Sequence, residues 1–293
     1  MPFARPQYLV ETEWLAQHLD DPRVRVLECT VYLHPDPSAA NRGGFRVESG
    51  RAKWAEGHIP GAGFVDLQEE LSDRQSNLRF MMPDSAQFAG AMGRHGVGDG
   101  VRVILYDRSV NMWAARVWWM LRAFGFDDAA VLNGGWKKWT NERRPVSTDP
   151  GTRPARTFQA KLRPELIADK NAVLAGVGDR AMCILNALTA EQHQGTGGAS
   201  YGRPGRIAGS TNVAARDLVD PETHAYLPSE VLRERFAAAG ALHAGRVITY
   251  CGGGIAASSD AFVLTLLGKD DVAVYDASLS EWAADPSLPM ETN

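Results

Sequence analysis

Residues 246–258, Arg246-Val247-Ile248-Thr249-Tyr250-Cys251-Gly252-Gly253-Gly254-Ile255-Ala256-Ala257-Ser258, read as a strand that stops at a cysteine, bends through three glycines and enters a helix. Val, Ile, Thr and Tyr favour a pleated, buried strand. The helical pattern that follows, over 256–267, is closed by Gly268, the residue type that most easily ends a helix. About 140 residues earlier the chain carries the same succession: a β-branched run over 101–106 ends at Asp107, and a helical pattern occupies 113–124. Working outward, His58-Ile59-Pro60-Gly61-Ala62 answers Arg206-Ile207-Ala208-Gly209-Ser210, and Pro83 answers Pro228. Val131-Leu132-Asn133-Gly134-Gly135-Trp136, leading to Trp139, answers Val274-Tyr275-Asp276-Ala277-Ser278, leading to Trp282. The intervals agree: His58 to Asp107 is 49 residues and Arg206 to Cys251 is 45, Pro83 to Asp107 is 24 and Pro228 to Cys251 is 23, Asp107 to Trp139 is 32 and Cys251 to Trp282 is 31. Landmarks kept in step at this period mark a duplicated unit.

Each copy alternates short β-branched runs (24–28, 101–106, 129–132, 182–185, 247–250, 272–275) with helical patterns (85–95, 113–124, 230–239, 256–267). That alternation predicts an α/β fold, each half a mainly parallel sheet with helices on both faces. Over 141–171 the periodicity fails and Pro, Arg and Thr accumulate, which predicts a linker. The expected division is a first domain over 1–145, a linker over 146–170 and a second domain over 171–293, with a ligand cleft between the domains.

The 293 residues suffice for two ordinary domains, and 44% hydrophobic with 23% charged residues at a net charge of −4 exclude a disordered, collagen-like or basic nucleic-acid-binding chain. No run approaches the ~18 apolar residues of a membrane span, and residues 1–6 do not lead into a signal peptide, so a soluble, cytoplasmic protein is expected. The cysteines Cys29, Cys183 and Cys251 are odd in number and scattered, which is incompatible with a disulfide framework or a paired-ligand zinc site. No metal or cofactor is expected, and thiol chemistry becomes the candidate.

Cys251 is the expected nucleophile. Backbone N–H groups of Gly252, Gly253, Gly254, Ile255 and Ala256, with the positive end of a helix behind them, form the kind of nest that stabilises a sulfur anion. A free thiol with a pKa of about 8.5 is only slightly ionised at neutral pH, so such help bears directly on nucleophilicity. Asp107 holds the equivalent position in the first half and brings no sulfur, so that half is expected to be inactive and to serve as the other wall of the cleft. Cys29 and Cys183 lie at or in apolar strand runs and are expected to be inert.

Together with Arg116-Val117-Trp118-Trp119-Met120 and the ending Val274-Tyr275-Asp276-Ala277-Ser278-Leu279-Ser280-Glu281-Trp282, these motifs resemble the tandem-domain rhodanese family of sulfurtransferases over nearly the whole chain. The resemblance implies two rhodanese-like domains and a persulfide enzyme. The loop cysteine would take a sulfane sulfur from thiosulfate or 3-mercaptopyruvate and pass it to cyanide, a thiol or a protein. A non-catalytic binding or sulfur-carrier module is the alternative, disfavoured because Cys251 and its glycines are intact. A cysteine phosphatase needs Cys-x5-Arg, and Ala257 stands where that arginine belongs.

Family members that use thiosulfate typically have basic residues where Gly252 and Gly253 stand. The mercaptopyruvate branch commonly has Ser at Gly253 and an arginine at the position of Gln192, and the family often has Asp and Arg at Asn186 and Leu188. Loss of both partners at Asn186 and Leu188 avoids stranding a buried charge. Arg203 and Arg206 are candidates to replace the missing carboxylate anchor. His58, which opens a turn near the cleft, and Tyr32, which follows the first strand, are further candidates for the pocket wall. An uncharged loop leans towards mercaptopyruvate or a bulkier persulfide donor over thiosulfate.

Overall fold

The structure, a computed structural model, describes residues 2–36, 38, 44–151 and 153–293. In chain order the first half holds β1 (Leu9–Val10), α1 (Thr12–Gln17), β2 (Val24–Glu28), β3 (Val31–Pro35), β4 (Phe45–Ser49), α2 (Arg51–Glu56), β5 (Gly63–Phe64), α3 (Ser85–Arg94), β6 (Arg102–Tyr106), α4 (Met112–Ala123), β7 (Ala129–Leu132) and α5 (Gly135–Asn141). The second holds β8 (Ile167–Ala168), α6 (Lys170–Gly176), β9 (Met182–Asn186), α7 (Ala190–Gln194), β10 (Arg206–Ile207), β11 (Thr211–Asn212), α8 (Ser229–Ala238), β12 (Arg246–Tyr250), α9 (Ile255–Leu266), β13 (Val272–Tyr275), α10 (Ser278–Trp282) and β14 (Met290–Glu291).

The duplication is carried into the topology. One five-stranded sheet runs β1-β7-β6-β2-β5 and the other β8-β13-β12-β9-β11, with every neighbouring pair parallel. Central strands β6, β7, β12 and β13 are apolar almost throughout because helices cover both faces of each sheet. Two antiparallel pairs lie outside this plan: β3 with β4 in the first half, and β10 with β14 in the second.

Recurring motifs do the same work twice. The Tyr106 hydroxyl, at the end of β6, accepts the Ile59 N–H at 3.3 Å, and the Tyr250 hydroxyl, at the end of β12, accepts the Ile207 N–H at 3.0 Å. Each pentapeptide turn is thereby tied to the strand that delivers Asp107 or Cys251. Trp139 and Trp282 are buried and donate to Pro145 and Pro289 carbonyls at 2.8 and 3.1 Å. Helices α4 and α9, the equivalent pair, pack against each other between the halves, with Trp118 edge-on to Phe262 at 4.8 Å. Both are buried nearly all round, which explains why neither shows a polar face in the sequence.

The Pro-rich stretch is not a free tether. Ser147 and His58 exchange backbone hydrogen bonds at 2.9 Å, Arg156 N–H meets Gly93 O, Arg163 N–H meets Ala123 O, and Phe158 packs on Phe88 at 5.6 Å. The chain therefore runs along the first half before β8, which lies within the sequence stretch expected as linker, joins the second sheet beside β13. Among the described residues, no helix is long and apolar enough to cross a membrane.

Candidate active site

Strand β12 delivers Cys251 to the end of the second sheet, where it is 3% exposed and faces the start of α9. The loop after it is held from below by Ser278. Its hydroxyl accepts the N–H groups of Cys251 at 3.0 Å and Gly254 at 3.2 Å and donates to Tyr275 O at 2.7 Å, which fills the hydroxyl's bonding capacity. To reach both, Ser278 adopts a left-handed backbone, φ +51°. From above, Gly252 O accepts from Ser280 N–H at 3.0 Å and from its hydroxyl at 2.6 Å, while Leu279 N–H meets Cys251 O.

Two of the three glycines are required sterically. The Tyr201 ring lies so close over Gly252 that a Cβ there would collide with it. Gly254 has φ +78°, and a Cβ would strike the Asp276 carboxylate. Asp276 forms a buried ion pair with Arg116 at 2.6 Å, accepts Met82 N–H at 2.8 Å, and is matched by an Arg116 bond to Phe80 O at 2.6 Å. The pair joins the halves directly behind the loop. With Ser278 occupied by two N–H groups, those of Gly252 and Gly253 meet no protein acceptor among the described residues, and the first turn of α9 adds N–H groups that no helix can satisfy internally.

The first half shows what such a loop holds. At the position equivalent to Cys251, Asp107 is fully buried and its carboxylate collects four backbone N–H groups: Ser109 at 2.7 Å, Asn111 at 3.2 Å, Trp113 at 2.9 Å and Ala114 at 3.0 Å. Asn111 and Gly254 both precede their helices in left-handed conformation, so Trp113 and Ala114 correspond to Ala256 and Ala257. Burial pushes the Asp107 carboxyl above its ordinary range, and the four N–H bonds pull against that shift. Beside it Arg108 pairs with the buried Glu28 at 2.6 Å; the corresponding residues of the second half, Gly252 and Asn186, are both neutral. Asn186 instead accepts the Leu188 N–H at 2.8 Å.

Cys251, Gly252, Gly253, Ile255 and Ala256 line a cavity of about 630 Å³ between the halves. The first half contributes Phe45, Phe80, Val110, Met112 and Trp113, and the second Leu188, Gln192, Tyr201, Val219 and Ser280. Gly254 lies behind this surface. Gln192 reaches the wall, but its side chain is engaged in the α7 capping box with Thr189 and in a 2.9 Å bond to Ala199 O.

The other expected wall residues are elsewhere. The Arg203 guanidinium donates to four backbone carbonyls, those of Trp282, Ala283, Asp285 and Leu288, at 2.6–3.1 Å, and so fastens the C-terminal segment. Arg206 bonds to Asn293 at 2.8 Å and pairs with Glu291 at 3.5 Å. Neither lines the cavity. His58 is fully buried, stacked on Trp54 at 4.4 Å, with its ring nitrogens 2.8 Å from Trp54 O and Asp149 O. Tyr32 sits opposite Glu48 on β3 and is likewise outside the lining. Burial raises the thiols of Cys29 and Cys183 above their ordinary range. Among the described residues, no three His, Cys, Asp or Glu side chains gather as a metal site requires.

Sequence reading missed Tyr201, Ser278 and the Arg116–Asp276 pair. Tyr201 projects from a Gly-rich loop without periodicity, and burial beside Cys251 pushes its phenol far above the usual range. The ordered spacing from Cys251 to Ser278, parallel to Asp107 and Gly135, was the available signal for Ser278: Gly135 occupies the same left-handed turn, φ +50°.

Residues 11–142 and 184–285 match the family described as Rhodanese-like domain. Thiosulfate sulfurtransferase of Gallus gallus is 32% identical over 280 residues, covering 94% of this chain and 92% of that one. 3-Mercaptopyruvate sulfurtransferase of Mus musculus is 32% identical over 282 residues, covering 94% and 91%. The crystal structure of SseA from Escherichia coli, described as a 3-mercaptopyruvate sulfotransferase, superposes with a TM-score of 0.80 at 29% identity, covering 94% of this chain and 99% of that one.

Proposed function

Because the chain belongs to the rhodanese family and is a sulfurtransferase with two copies of the rhodanese fold, we propose that it works through a persulfide on Cys251. The first half, within 1–145, acts as an inactive wall, and 171–293 carries the chemistry. The Cys251 thiolate attacks the outer sulfur of the donor, the bond between that sulfur and the donor body breaks, and its electron pair leaves with sulfite or an enolate. A nucleophilic acceptor, cyanide or a thiol, then attacks the outer sulfur and returns Cys251 to the thiolate.

The observation that carries this reading is the four-N–H cradle around the Asp107 carboxylate. A related strand–loop–helix construction holds an anionic side chain in one half and presents a cysteine in the other, where the loop is one residue shorter and the Gly254 N–H, counterpart of the Asn111 N–H, is taken by Ser278. A sulfur anion there is stabilised by dipoles already in place, with no reorganisation during the reaction. An enolate leaving group needs a proton, and Tyr201 is placed to give it: its phenol lies over Gly252 inside the cavity and stays protonated because burial and the neighbouring thiolate disfavour the phenolate. Sulfite needs no such help.

Thiocyanate formation from thiosulfate and from 3-mercaptopyruvate, measured on the wild type and on Cys251→Ser, tests the reading. Turnover of either donor that disappears with Cys251→Ser supports it; turnover that survives the substitution refutes it.

A further inference from the structure

A separate cavity lies in the first half. It holds about 180 Å³, below the ~300 Å³ at which sites for drug-sized ligands begin, and is of a size for a small ion. Strand β2 brings Arg25 to its wall, the end of α3 brings Arg94 and His95, and the segment between the halves brings Gly151 and Arg153. In the first sheet Arg25 pairs with Val103, whereas Glu28 pairs with Tyr106, the residue before Asp107. The cavity therefore sits towards the end of that sheet opposite the loops of the cleft.

Its charge is unbalanced. Among the described residues the lining holds three arginines and no carboxylate. Arg25 is 3% exposed; its Nη1 donates to Pro22 O at 2.8 Å and Val24 O at 3.0 Å, while Nε and Nη2 meet no acceptor among the described residues. Arg153 is half-buried and makes no hydrogen bond or ion pair among the described residues. A Cβ on Gly96 would lie 3.0 Å from Arg25 Nε and 3.4 Å from Arg153 Cβ, and one on Gly61 would lie 3.1 Å from Arg153 Nη2. Arg153 thus starts beside Arg25 and ends over Gly61, a residue of the same wall. Glu70, outside the lining, meets His95 at 3.1 Å and Arg94 at 3.8 Å, which leaves Arg25 and Arg153 without a counter-charge. Burial, then the charges of Arg153 and Arg156, pull Arg25 below the usual arginine range, and no carboxylate pulls the other way. A buried cation in this position is costly until an anion joins it.

We propose that this cavity is a binding site for a phosphate group, free or at the end of a small ester, which accepts charge-assisted hydrogen bonds from the unpartnered edge of Arg25 and from Arg153. Two carbonyls on Nη1 fix the plane of the Arg25 guanidinium, so the remaining fork is held in place before the anion arrives. Arg25 belongs to β2 and Arg153 to the segment between the halves, and the bound anion clips that segment to the first sheet. The site is independent of the chemistry at Cys251.

Isothermal titration calorimetry of the full chain with inorganic phosphate, at an ionic strength held constant with sodium chloride, tests this. Saturable binding is expected, weakened at least tenfold in Arg153→Gln and less in Arg153→Lys, which keeps the charge but not the fork. Arg153 has no bond to lose, so sulfur transfer by Arg153→Gln is expected to match the wild type and shows that the variant is folded. Arg180→Gln, an exposed arginine of the other half, is expected to bind phosphate within twofold of the wild type. Titration with glycerol 3-phosphate separates the two sources: binding that also depends on Arg153 assigns the site to the phosphate of an ester, and binding of inorganic phosphate alone assigns it to the free ion. No saturable phosphate binding by the wild type, binding unchanged in Arg153→Gln, or an equal loss in Arg180→Gln overturns the proposal.

Discussion

Replacing Ser278 by alanine removes the acceptor for two buried N–H groups, those of Cys251 and Gly254, at once. An unsatisfied buried N–H costs about 1–3 kcal/mol, so Ser278→Ala is expected to destabilise the protein by about 3 kcal/mol in total. Alanine also keeps the left-handed strain at φ +51°. Glycine, which Gly135 supplies at the equivalent turn of the first half, relieves about 1 kcal/mol of it, so Ser278→Gly is expected to cost about 2 kcal/mol. Urea unfolding of the three proteins gives the stabilities, and the rate of persulfide loading gives the effect on the loop, expected to fall at least tenfold in both variants as the Cys251 N–H loses its tether. A Ser278→Ala protein within about 0.5 kcal/mol of the wild type, or a glycine variant less stable than the alanine one, would refute the reasoning.

Tyr201→Phe is expected to lower kcat with 3-mercaptopyruvate at least tenfold and to change the thiosulfate reaction less than threefold, since only the enolate needs the phenolic proton; steady-state kinetics with both donors measures the split. Arg116→Met leaves the Asp276 carboxylate buried without its partner and should cost about 3–5 kcal/mol, while the double variant with Asp276→Asn should cost less than the sum of the singles in a denaturant-based cycle. Asp260 is fully buried on α9 with no hydrogen-bond partner among the described residues, and burial raises its carboxyl well above the ordinary range. The unfolded chain thus ionises first as pH rises, so stability drops from about pH 4 upward until the folded group also ionises. Asp260→Asn removes that slope; it should gain at least about 1 kcal/mol at pH 7, with the gain vanishing below about pH 4, as unfolding curves across pH will show.

The parts legible in the sequence are those whose signal is local. Strands β2, β6, β7, β9, β12 and β13 announce themselves as buried β-branched runs and lie within a residue of where the pattern puts them, as do α3, α4, α8 and α9. Two-residue strands such as β1, β5, β8 and β11 have no period to read and exist only because a longer neighbour offers an open edge. The cysteine loop was visible because three consecutive glycines are costly without a steric reason, here the Tyr201 ring and the Asp276 carboxylate. Arg203 illustrates the opposite case. A long, flexible cation near the site in sequence could turn either way, and what decides is four carbonyls about 80 residues further on, a grouping made only by folding.

The most direct measurement is the mass of the intact protein after exposure to a sulfane donor and removal of the excess, for the wild type, Cys251→Ser and the Cys29→Ser/Cys183→Ser double variant. One added sulfur atom, mapped to Cys251, is expected in the wild type and the double variant and none in Cys251→Ser, because burial raises the Cys29 and Cys183 thiols and keeps them from reacting. Sulfur retained by Cys251→Ser, or lost from the double variant, would contradict the account.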